Sequence, residues 1–189
     1  MKSALTIVSA KGYDVTIGEN PFASLEGLLG DLLKTGNRFC VIMDENTHDN
    51  CYRMLCELCP AVESGSKIII SPGENSKSYN SLAYLTEEMT KMGADRGSIV
   101  VNLGGGMISD LGGLAASLFK RGVDFINIPT TLLSMVDASI GGKVGINLTN
   151  LKNQVGLFAQ PKAVFISPKF LNSLDNSRLK EGLVEACKH

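Results

Sequence analysis

Short apolar runs alternate with longer amphipathic segments along this chain. The apolar runs have the length of buried strands, and the amphipathic segments have the length and spacing of helices. This order predicts an α/β fold, with a Rossmann-like, mostly parallel sheet and helices on both of its faces. Strands are predicted at residues 38–43, 67–71, 98–103 and 124–128, and helices at about 21–34, 44–59, 78–92, 106–119 and from 131 onward.

Two further runs, at residues 5–9 and 13–17, predict a small N-terminal hairpin that turns at Lys11 and Gly12. No repeat, low-complexity tract or flexible linker interrupts the order of the elements. We therefore expect one sheet to organise nearly the whole chain, with no domain boundary before its C-terminal end.

Three consecutive glycines, Gly104, Gly105 and Gly106, are the strongest functional signal in the sequence. They follow the apolar run 98–103 and so mark a turn at the end of a strand. Glycine lets main-chain N–H groups approach an anion closely, and the first turn of a following helix adds unpaired donors. The arrangement is typical of phosphate binding, although Ser109 stands where the dinucleotide fingerprint has its third glycine. An ordinary tight turn is the alternative interpretation.

Polar residues follow two other predicted strands. Asp44 and Asn46 come after one strand, and Glu74 and Lys77 come after the next. Ligands of parallel α/β sheets bind beyond the carboxyl ends of the strands. An acid in the position of Asp44 suits the hydroxyls of a ribose, so the pattern indicates a dinucleotide. Asp124 begins a strand rather than ending one, which favours an ordinary structural role for it.

Composition narrows the class of partner. The chain has 189 residues, a net charge of −1 and 20% charged residues, which gives no electrostatic footprint for nucleic acid. No apolar run is long enough for a membrane span, and the N-terminus shows no signal-peptide pattern. We therefore expect a cytoplasmic protein whose partners are small molecules or copies of itself. The five cysteines, an odd number, are expected to be reduced thiols rather than a disulfide framework. Cys56 and Cys59 lack a second pair for zinc and lie in a predicted helix, so they are expected to be buried thiols.

Several motifs, taken together, resemble the 3-dehydroquinate synthase family. They occur in the family's order, at residues 72–77 (PGENSK), 104–110 (GGGMISD), 121–122 (RG), 128–137 (IPTTLLSMVD), 141–143 (GGK), 152–153 (KN) and 182–188 (GLVEACK). The resemblance covers nearly the whole chain but only the first half of the family's protein. It implies an NAD-binding domain over residues 1–177, followed at 178–189 by the first helix of a helical metal-binding domain whose remainder is missing.

The resemblance also implies an activity. Members of this family convert DAHP to 3-dehydroquinate and phosphate, a step of the shikimate pathway that leads to aromatic amino acids. They do so by transient oxidation at bound NAD, loss of phosphate, re-reduction and intramolecular aldol closure, with Zn²⁺ or Co²⁺ assisting. By this resemblance the chain is expected to belong to a homodimeric lyase and to be inactive without the second domain.

Matching the motifs position by position gives the expected site residues. NAD contacts are expected at Asp44, Glu74, Lys77, Gly105, Gly106, Met107, Asp110, Thr130, Thr131, Leu133, Asp137 and Lys143. Catalytic or substrate-binding roles are expected at Asp137, Lys143, Lys152, Asn153, Lys188 and Arg121. Arg121 matches an arginine that reaches the substrate of the neighbouring subunit. Glu185 matches the first metal ligand, and a single carboxylate does not hold catalytic zinc tightly.

These assignments have structural alternatives. Lone lysines in loops are ordinarily solvated, and Asp110 can simply complement a helix N-terminus. Thr130 and Thr131 can cap the next helix. Glu185 and His189 are four residues apart and could face one metal from the same helix, although the family takes its histidines from farther along the chain.

Three alternative functions remain open. One is a sister sugar-phosphate cyclase, since Leu151 stands where glycine is commoner in the family. A second is an NAD-dependent alcohol or glycerol dehydrogenase of related fold, against which the Lys152–Asn153 pair and the spacing from Glu185 to Lys188 argue. The third is a non-catalytic NAD-binding module, which this chain would be without its second domain.

Overall fold

A mostly parallel sheet organises the computed structural model, which describes residues 5–10, 12–149 and 151–188. The strands are β1 (Thr6–Ser9), β2 (Asp14–Ile17), β3 (Phe39–Asp44), β4 (Ser66–Ile70), β5 (Ile99–Gly104), β6 (Asp124–Pro129), β7 (Lys143–Leu148), β8 (Leu151–Phe158) and β9 (Ala163–Ile166). Within the described residues, seven of them form one sheet in the order β1-β2-β9-β6-β5-β3-β4. Only the β1–β2 pair of this sheet is antiparallel, which confirms the predicted N-terminal hairpin. Lys11, in its predicted turn, lies outside the described residues.

Helices lie between most of the parallel strands, and the last helix follows β9. They are α1 (Ala23–Lys34), α2 (Glu45–Thr47), α3 (Arg53–Leu58), α4 (Tyr79–Lys91), α5 (Gly106–Leu118) and α6 (Asn176–Ala186). A π-helical turn, His48–Tyr52, joins α2 to α3, so the helical segment predicted at 44–59 is present. No helix in the described part of the chain is both long and apolar enough to cross a bilayer.

The core lies on both faces of the sheet because strand side chains point alternately to opposite sides. In β3, Val41 and Met43 pack in one buried cluster with residues of α1 and α3. Cys40 and Ile42, one position out of phase, pack in the other cluster with residues of α4 and α5. Each large apolar side chain buried in this way contributes about 1.5–3 kcal/mol. The predicted Rossmann-like sheet with helices on both faces is therefore confirmed.

Three strands lie in a region for which the sequence pattern predicts no strand. β7 and β8 form a separate antiparallel hairpin that packs on α5, and β9 inserts between β2 and β6. Most of β8 is exposed, so it carries no continuous apolar run, and β9 is only four residues long. β9 pairs with strands that are distant in sequence, and β8 is packed from one side only. Local hydrophobic periodicity records neither kind of contact.

The contact between α5 and the sheet depends on a glycine inside the helix. A Cβ atom added at Gly112 would lie 1.9 Å from Oδ1 of Asn102 in β5. Asn102 is buried, and its Nδ2 donates a hydrogen bond to Oδ1 of Asn127 on the neighbouring strand. Asn127 in turn donates to the carbonyl of Ser139. Gly112 thus lets α5 lie directly on a polar pair that anchors the segment after β6.

Candidate functional site: a cavity at the carboxyl ends of the strands

A cavity of about 800 Å³ opens at the carboxyl ends of β3, β4, β5 and β6. The chain passes from β3 outward to β4 and then returns to β5 on the other side of β3, which is the switch point at which ligands bind in such sheets. From the predicted site residues, the cavity wall includes Asp44, Glu74, Lys77, Gly105, Gly106, Met107, Asp110, Thr130, Thr131, Leu133, Asp137, Lys152 and Asn153. The structure therefore brings most of them together.

The glycine turn forms the floor of this cavity at the N-terminus of α5. Gly105 occupies the N-cap position with extended backbone, and no side chain caps the helix there. A Cβ atom would lie 3.1 Å from the side chain of Thr131 at Gly105, and 3.1 Å from Cβ of Ala138 at Gly106. The two glycines therefore allow the segment after β6 to pack closely while the first N–H groups of α5 face the cavity. Such a terminus suits a diphosphate.

Lys77 is a buried lysine at the edge of the cavity, with 4% of its surface exposed. Its Nζ atom donates to the carboxylate of Asp110 and to Oδ1 of Asn153. A buried ammonium is tolerated only when it is paired and hydrogen-bonded. The interpretation of Lys77 as a solvated loop lysine is therefore wrong, because this side chain links the β4–α4 connection, α5 and the β7–β8 hairpin.

Carboxylates converge on this cavity. Burial raises the pKa of Asp110, the hydrogen bond and charge of Lys77 lower it, and the nearby charges of Glu74 and Asp137 raise it further. The net pKa of Asp110 lies above its ordinary value because burial is the largest of these effects. An anionic ligand must therefore bind beside negative charge, with the α5 N-terminus, Lys77, Lys152 and Arg178 as the opposing positive groups.

Asp44 ends β3 and caps α2. Its Oδ1 atom accepts a hydrogen bond from the backbone N–H of Thr47 at 2.7 Å, and the residue also lines the cavity. One oxygen of the carboxylate is therefore used for capping, while the other remains available to a hydroxyl pair. The structural and the functional interpretations of this residue are compatible.

The segment after β6 is fixed by short-range hydrogen bonds. The N–H of Thr130 donates to the carbonyl of Gly104 at 3.0 Å, and Oγ1 of Thr131 accepts from the N–H of Ser134 at 3.2 Å. The capping role suggested for Thr131 is therefore present in the structure. It orients the π-helical turn Ser134–Ala138, which carries Asp137 into the cavity wall.

Four predicted site residues do not line the cavity, namely Lys143, Arg121, Lys188 and Glu185. Lys143 begins β7 and is exposed opposite Phe158, and Arg121 is exposed at the far end of α5. Lys188 donates to Oε2 of Glu185 at 2.7 Å on α6 and the turn that follows it. This hydrogen bond raises the pKa of Lys188, and the charge of Asp137 in the cavity wall adds to the shift.

No metal centre is assembled by the residues that the structure describes. Within them, no group of three or more His, Cys, Asp or Glu side chains is arranged to hold a metal ion. Glu185, the predicted ligand, is half-buried and ion-paired with Lys188. His189 lies outside the described residues, so its pairing with Glu185 is not tested.

Several residues of the cavity wall were not predicted. They are Thr47, Asn50, Cys51, Ser173, Leu174, Asp175, Arg178 and Glu181. The last five come from the segment that leads into α6 and from α6 itself, where the carboxylate of Asp175 accepts from the backbone N–H of Arg178 at 2.9 Å. An acidic N-cap before an amphipathic helix is visible in the sequence, but only the fold shows that this cap faces the glycine turn.

Comparison with known proteins gives one family. The family model described as 3-dehydroquinate synthase N-terminal matches residues 67–181. A 3-dehydroquinate synthase of Parabacteroides distasonis is 43% identical over 153 residues, which are 81% of this chain and 43% of that protein.

Solved structures of cyclases share the fold. A 2-deoxy-scyllo-inosose synthase complexed with carbaglucose-6-phosphate, NAD⁺ and Co²⁺ has a TM-score of 0.82 and 25% identity, over 99% of this chain and 51% of that one. A 2-epi-5-epi-valiolone synthase of Streptomyces hygroscopicus with NAD⁺ and Zn²⁺ bound has a TM-score of 0.72 and 28% identity, over 96% of this chain and 50% of that one. The chain thus spans about half the length of the proteins it matches.

Proposed function

Because this chain belongs to the 3-dehydroquinate synthase family, we propose that it forms the NAD-binding half of a 3-dehydroquinate synthase. The observation that supports this most directly is the cavity itself. It combines the uncapped N-terminus of α5 with Asp44, the Lys77–Asp110 pair and Lys152. A dinucleotide needs hydrogen-bond donors for its diphosphate, an acceptor for its ribose hydroxyls and polar side chains at the opposite end of the cavity.

NAD would lie across the switch point of the sheet. Its diphosphate would face Gly105 and Gly106 at the start of α5, and an adenosine ribose would face Asp44 at the end of β3. The nicotinamide would then extend toward Asp137. When bound, NAD would supply a transient oxidation of a secondary hydroxyl to a ketone, which makes the adjacent proton acidic enough for phosphate to leave before the hydride is returned.

Other side chains of the site bind and orient the substrate. We assign Lys152 and Lys188 to the phosphate and carboxylate of DAHP, because ammonium groups bind such anions by charge-assisted hydrogen bonds. Asn153 orients the substrate from the cavity wall. Asp137 would accept a hydrogen bond from the reacting hydroxyl, and Lys143 would act near the nicotinamide.

The described residues do not by themselves fit a complete Zn²⁺ or Co²⁺ site. Glu185 offers one carboxylate, whereas catalytic zinc sites use three protein ligands. We therefore derive no step through a metal from this half of the protein and propose that the chain alone does not turn over DAHP. We further propose that the protein is cytoplasmic and acts as a homodimer, in which Arg121 of one subunit serves the other.

A sister sugar-phosphate cyclase is the second candidate. The TM-score of 0.82 with 2-deoxy-scyllo-inosose synthase shows that this half of the fold is shared between cyclases of different substrates. The family match favours the 3-dehydroquinate reaction over this alternative and over an alcohol or glycerol dehydrogenase. A dehydrogenase would release reduced NAD, whereas a cyclase shows no net redox change.

The cofactor site is tested by calorimetric titration of this chain with NAD. Gly106→Val puts its side chain against Ala138, which forces the start of α5 to shift, and is expected to abolish binding. Gly30→Ala, in α1, is the matched control, because an added Cβ there meets no atom within 4 Å. Binding by Gly106→Val equal to that of the wild type would refute the site. The reaction is tested on the complete gene product with DAHP, NAD and Zn²⁺, by phosphate release without accumulation of reduced NAD.

A further inference from the structure

The β7–β8 hairpin contains a wide irregularity next to the cavity. Ile146 pairs with Val155 and Leu148 pairs with Leu151, so the three residues 152–154 of β8 stand opposite the single residue Asn147 of β7. A bulge of this kind bends its strand and redirects side chains. The hairpin reaches the cavity through Lys152 and Asn153, both of which lie in this bulge.

The backbone of the bulge is held in an uncommon conformation. Asn153 has φ +54°, a left-handed conformation that asparagine tolerates better than most residues. A bulge also leaves backbone groups without their partners in the ladder. The conformation therefore needs a contact that replaces the missing ladder hydrogen bond and keeps the strand bent toward the cavity.

Asn147 supplies that contact. Its Oδ1 atom accepts a hydrogen bond from the backbone N–H of Asn153 at 2.9 Å, and its Nδ2 atom donates to Oε1 of Glu74 at 2.8 Å. Its own N–H donates to the carbonyl of Lys77 at 2.9 Å. One residue thus joins the hairpin to the connection after β4 at two points and holds the bulge of its own hairpin at a third.

Each of the three partners is a wall residue of the cavity. Glu74, Lys77 and Asn153 come from two separate parts of the chain, and Nζ of Lys77 also donates to Oδ1 of Asn153. The relative position of these groups therefore depends on how the hairpin is clipped. Asn147 itself does not line the cavity.

We propose that Asn147 is a positioning residue that holds Glu74 and the 152–154 bulge in the geometry that the cofactor and substrate require. The proposal rests on the proposed function of the same cavity. It assigns Asn147 no contact with either ligand and makes its effect indirect, through Glu74 and Asn153.

Asparagine fits this position because its amide both donates and accepts. Aspartate could still accept from the N–H of Asn153, but it could not donate to Glu74 and would repel it. Alanine could do neither. Asn147→Asp and Asn147→Ala therefore separate the two side-chain contacts. Thr149→Ala is a control in the same hairpin, because the hydroxyl of Thr149 donates only to the neighbouring carbonyl of Leu148 among the hydrogen bonds described.

The first measurement is amide hydrogen exchange at Asn153, followed by NMR. We expect Asn147→Ala to speed this exchange about fivefold to tenfold, Asn147→Asp to restore most of the protection, and Thr149→Ala to match the wild type. Equal protection of Asn153 in wild type and Asn147→Ala would overturn the proposal, whether or not the chain binds NAD.

The second measurement is NAD titration of the same variants. Both Asn147 variants are expected to bind NAD about fivefold to tenfold more weakly, with melting temperatures close to that of Thr149→Ala. Unchanged affinity in both would overturn the positioning role even if the exchange result held. Absence of NAD binding by the wild type would instead refute the proposed function, and the exchange measurement would still decide whether Asn147 holds the bulge.

Discussion

Lys77 and Asp110 form an ion pair between the connection after β4 and the second turn of α5. The lysine side chain is 4% exposed and the aspartate side chain 20% exposed, so water screens this pair far less than a surface pair. The pair fixes the distance between two walls of the cavity. Its removal should therefore affect both the stability of the fold and the shape of the site.

Lys77→Met should destabilise the protein more than the loss of an ordinary ion pair. It leaves the carboxylate of Asp110 partly buried without its partner, and we expect a loss of about 2–4 kcal/mol in the free energy of unfolding. The double variant Lys77→Met/Asp110→Leu should lose less, because neither charge remains. Urea denaturation measures both. Lys34→Met, which removes an exposed pair with Asp31, is the control and should change stability by less than about 1 kcal/mol.

The stability contributed by Asp110 should depend on pH in the direction opposite to that of an ordinary ion-paired carboxylate. Burial raises its pKa above the ordinary 3.8, so the folded state binds this proton more tightly than the unfolded state. The contribution is present below pH 3.8 and is lost as the pH rises through the folded-state pKa. We expect the free energy of unfolding of the wild type, minus that of Asp110→Asn, to fall across this window.

Urea titrations of wild type and Asp110→Asn at matched pH values, from below 3.8 to neutrality, measure that difference. Groups other than Asp110 titrate in both proteins and cancel. A difference that grows with rising pH would show that Lys77 outweighs burial at this carboxyl.

Two variants of Asp44 should separate its role in capping α2 from its proposed role in NAD binding. Asp44→Asn keeps an N-cap of equal quality, whereas Asp44→Ala removes the acceptor for Thr47 and should cost about 1 kcal/mol. Both should weaken NAD binding, since a ribose hydroxyl pair prefers a carboxylate. Ser78→Ala, which removes the N-cap of α4 at a residue that does not line the cavity, should lower stability similarly but leave the NAD titration unchanged. Thermal melting with calorimetry distinguishes these outcomes, and full NAD affinity in Asp44→Asn would contradict the ribose assignment.

Replacement of Gly112 and of Gly30 by alanine should change the free energy of unfolding in opposite directions. At Gly112 the added Cβ collides with the buried side chain of Asn102, and we expect a loss of about 1–3 kcal/mol. At Gly30, inside α1, the added Cβ meets no neighbour, and a gain of about 0.5–1 kcal/mol is expected from helix propensity. Urea denaturation of the two variants is a direct comparison. A gain at both positions would show that α5 can move away from the sheet.

The sequence pattern predicted the parallel strands β3, β4, β5 and β6 and the helices between them because each is a local apolar run or a local amphipathic period. It did not predict β9, whose Val164 pairs with Val15 on one side and Asn127 on the other. Those pairings join residues more than thirty positions apart, and four apolar residues do not distinguish a central strand from a loop. The hairpin strand β8 was missed for the opposite reason, since its outer face is exposed and its apolar content is low.

The site was predicted to the extent that it follows strand ends and motifs. The glycine turn and Asp44 follow from the general rule on ligands and parallel sheets. The burial of Lys77 does not, because its partners Asp110 and Asn153 are 33 and 76 residues away. Asn147 was likewise not identified, because a bulge is defined by pairing between strands and not by the order of residues along one of them.

The helix α5 carries its glycine turn at one end and leads directly to Arg121 at the other, about 20 Å apart at the rise of an α-helix. An arginine at that distance cannot serve the cavity of its own chain. If Arg121 takes part in the reaction, every working site is built from two copies of the protein, and defects at the two ends complement each other. Two proteins that are each inactive, Gly106→Val and Arg121→Ala, would then form mixed dimers with one intact site.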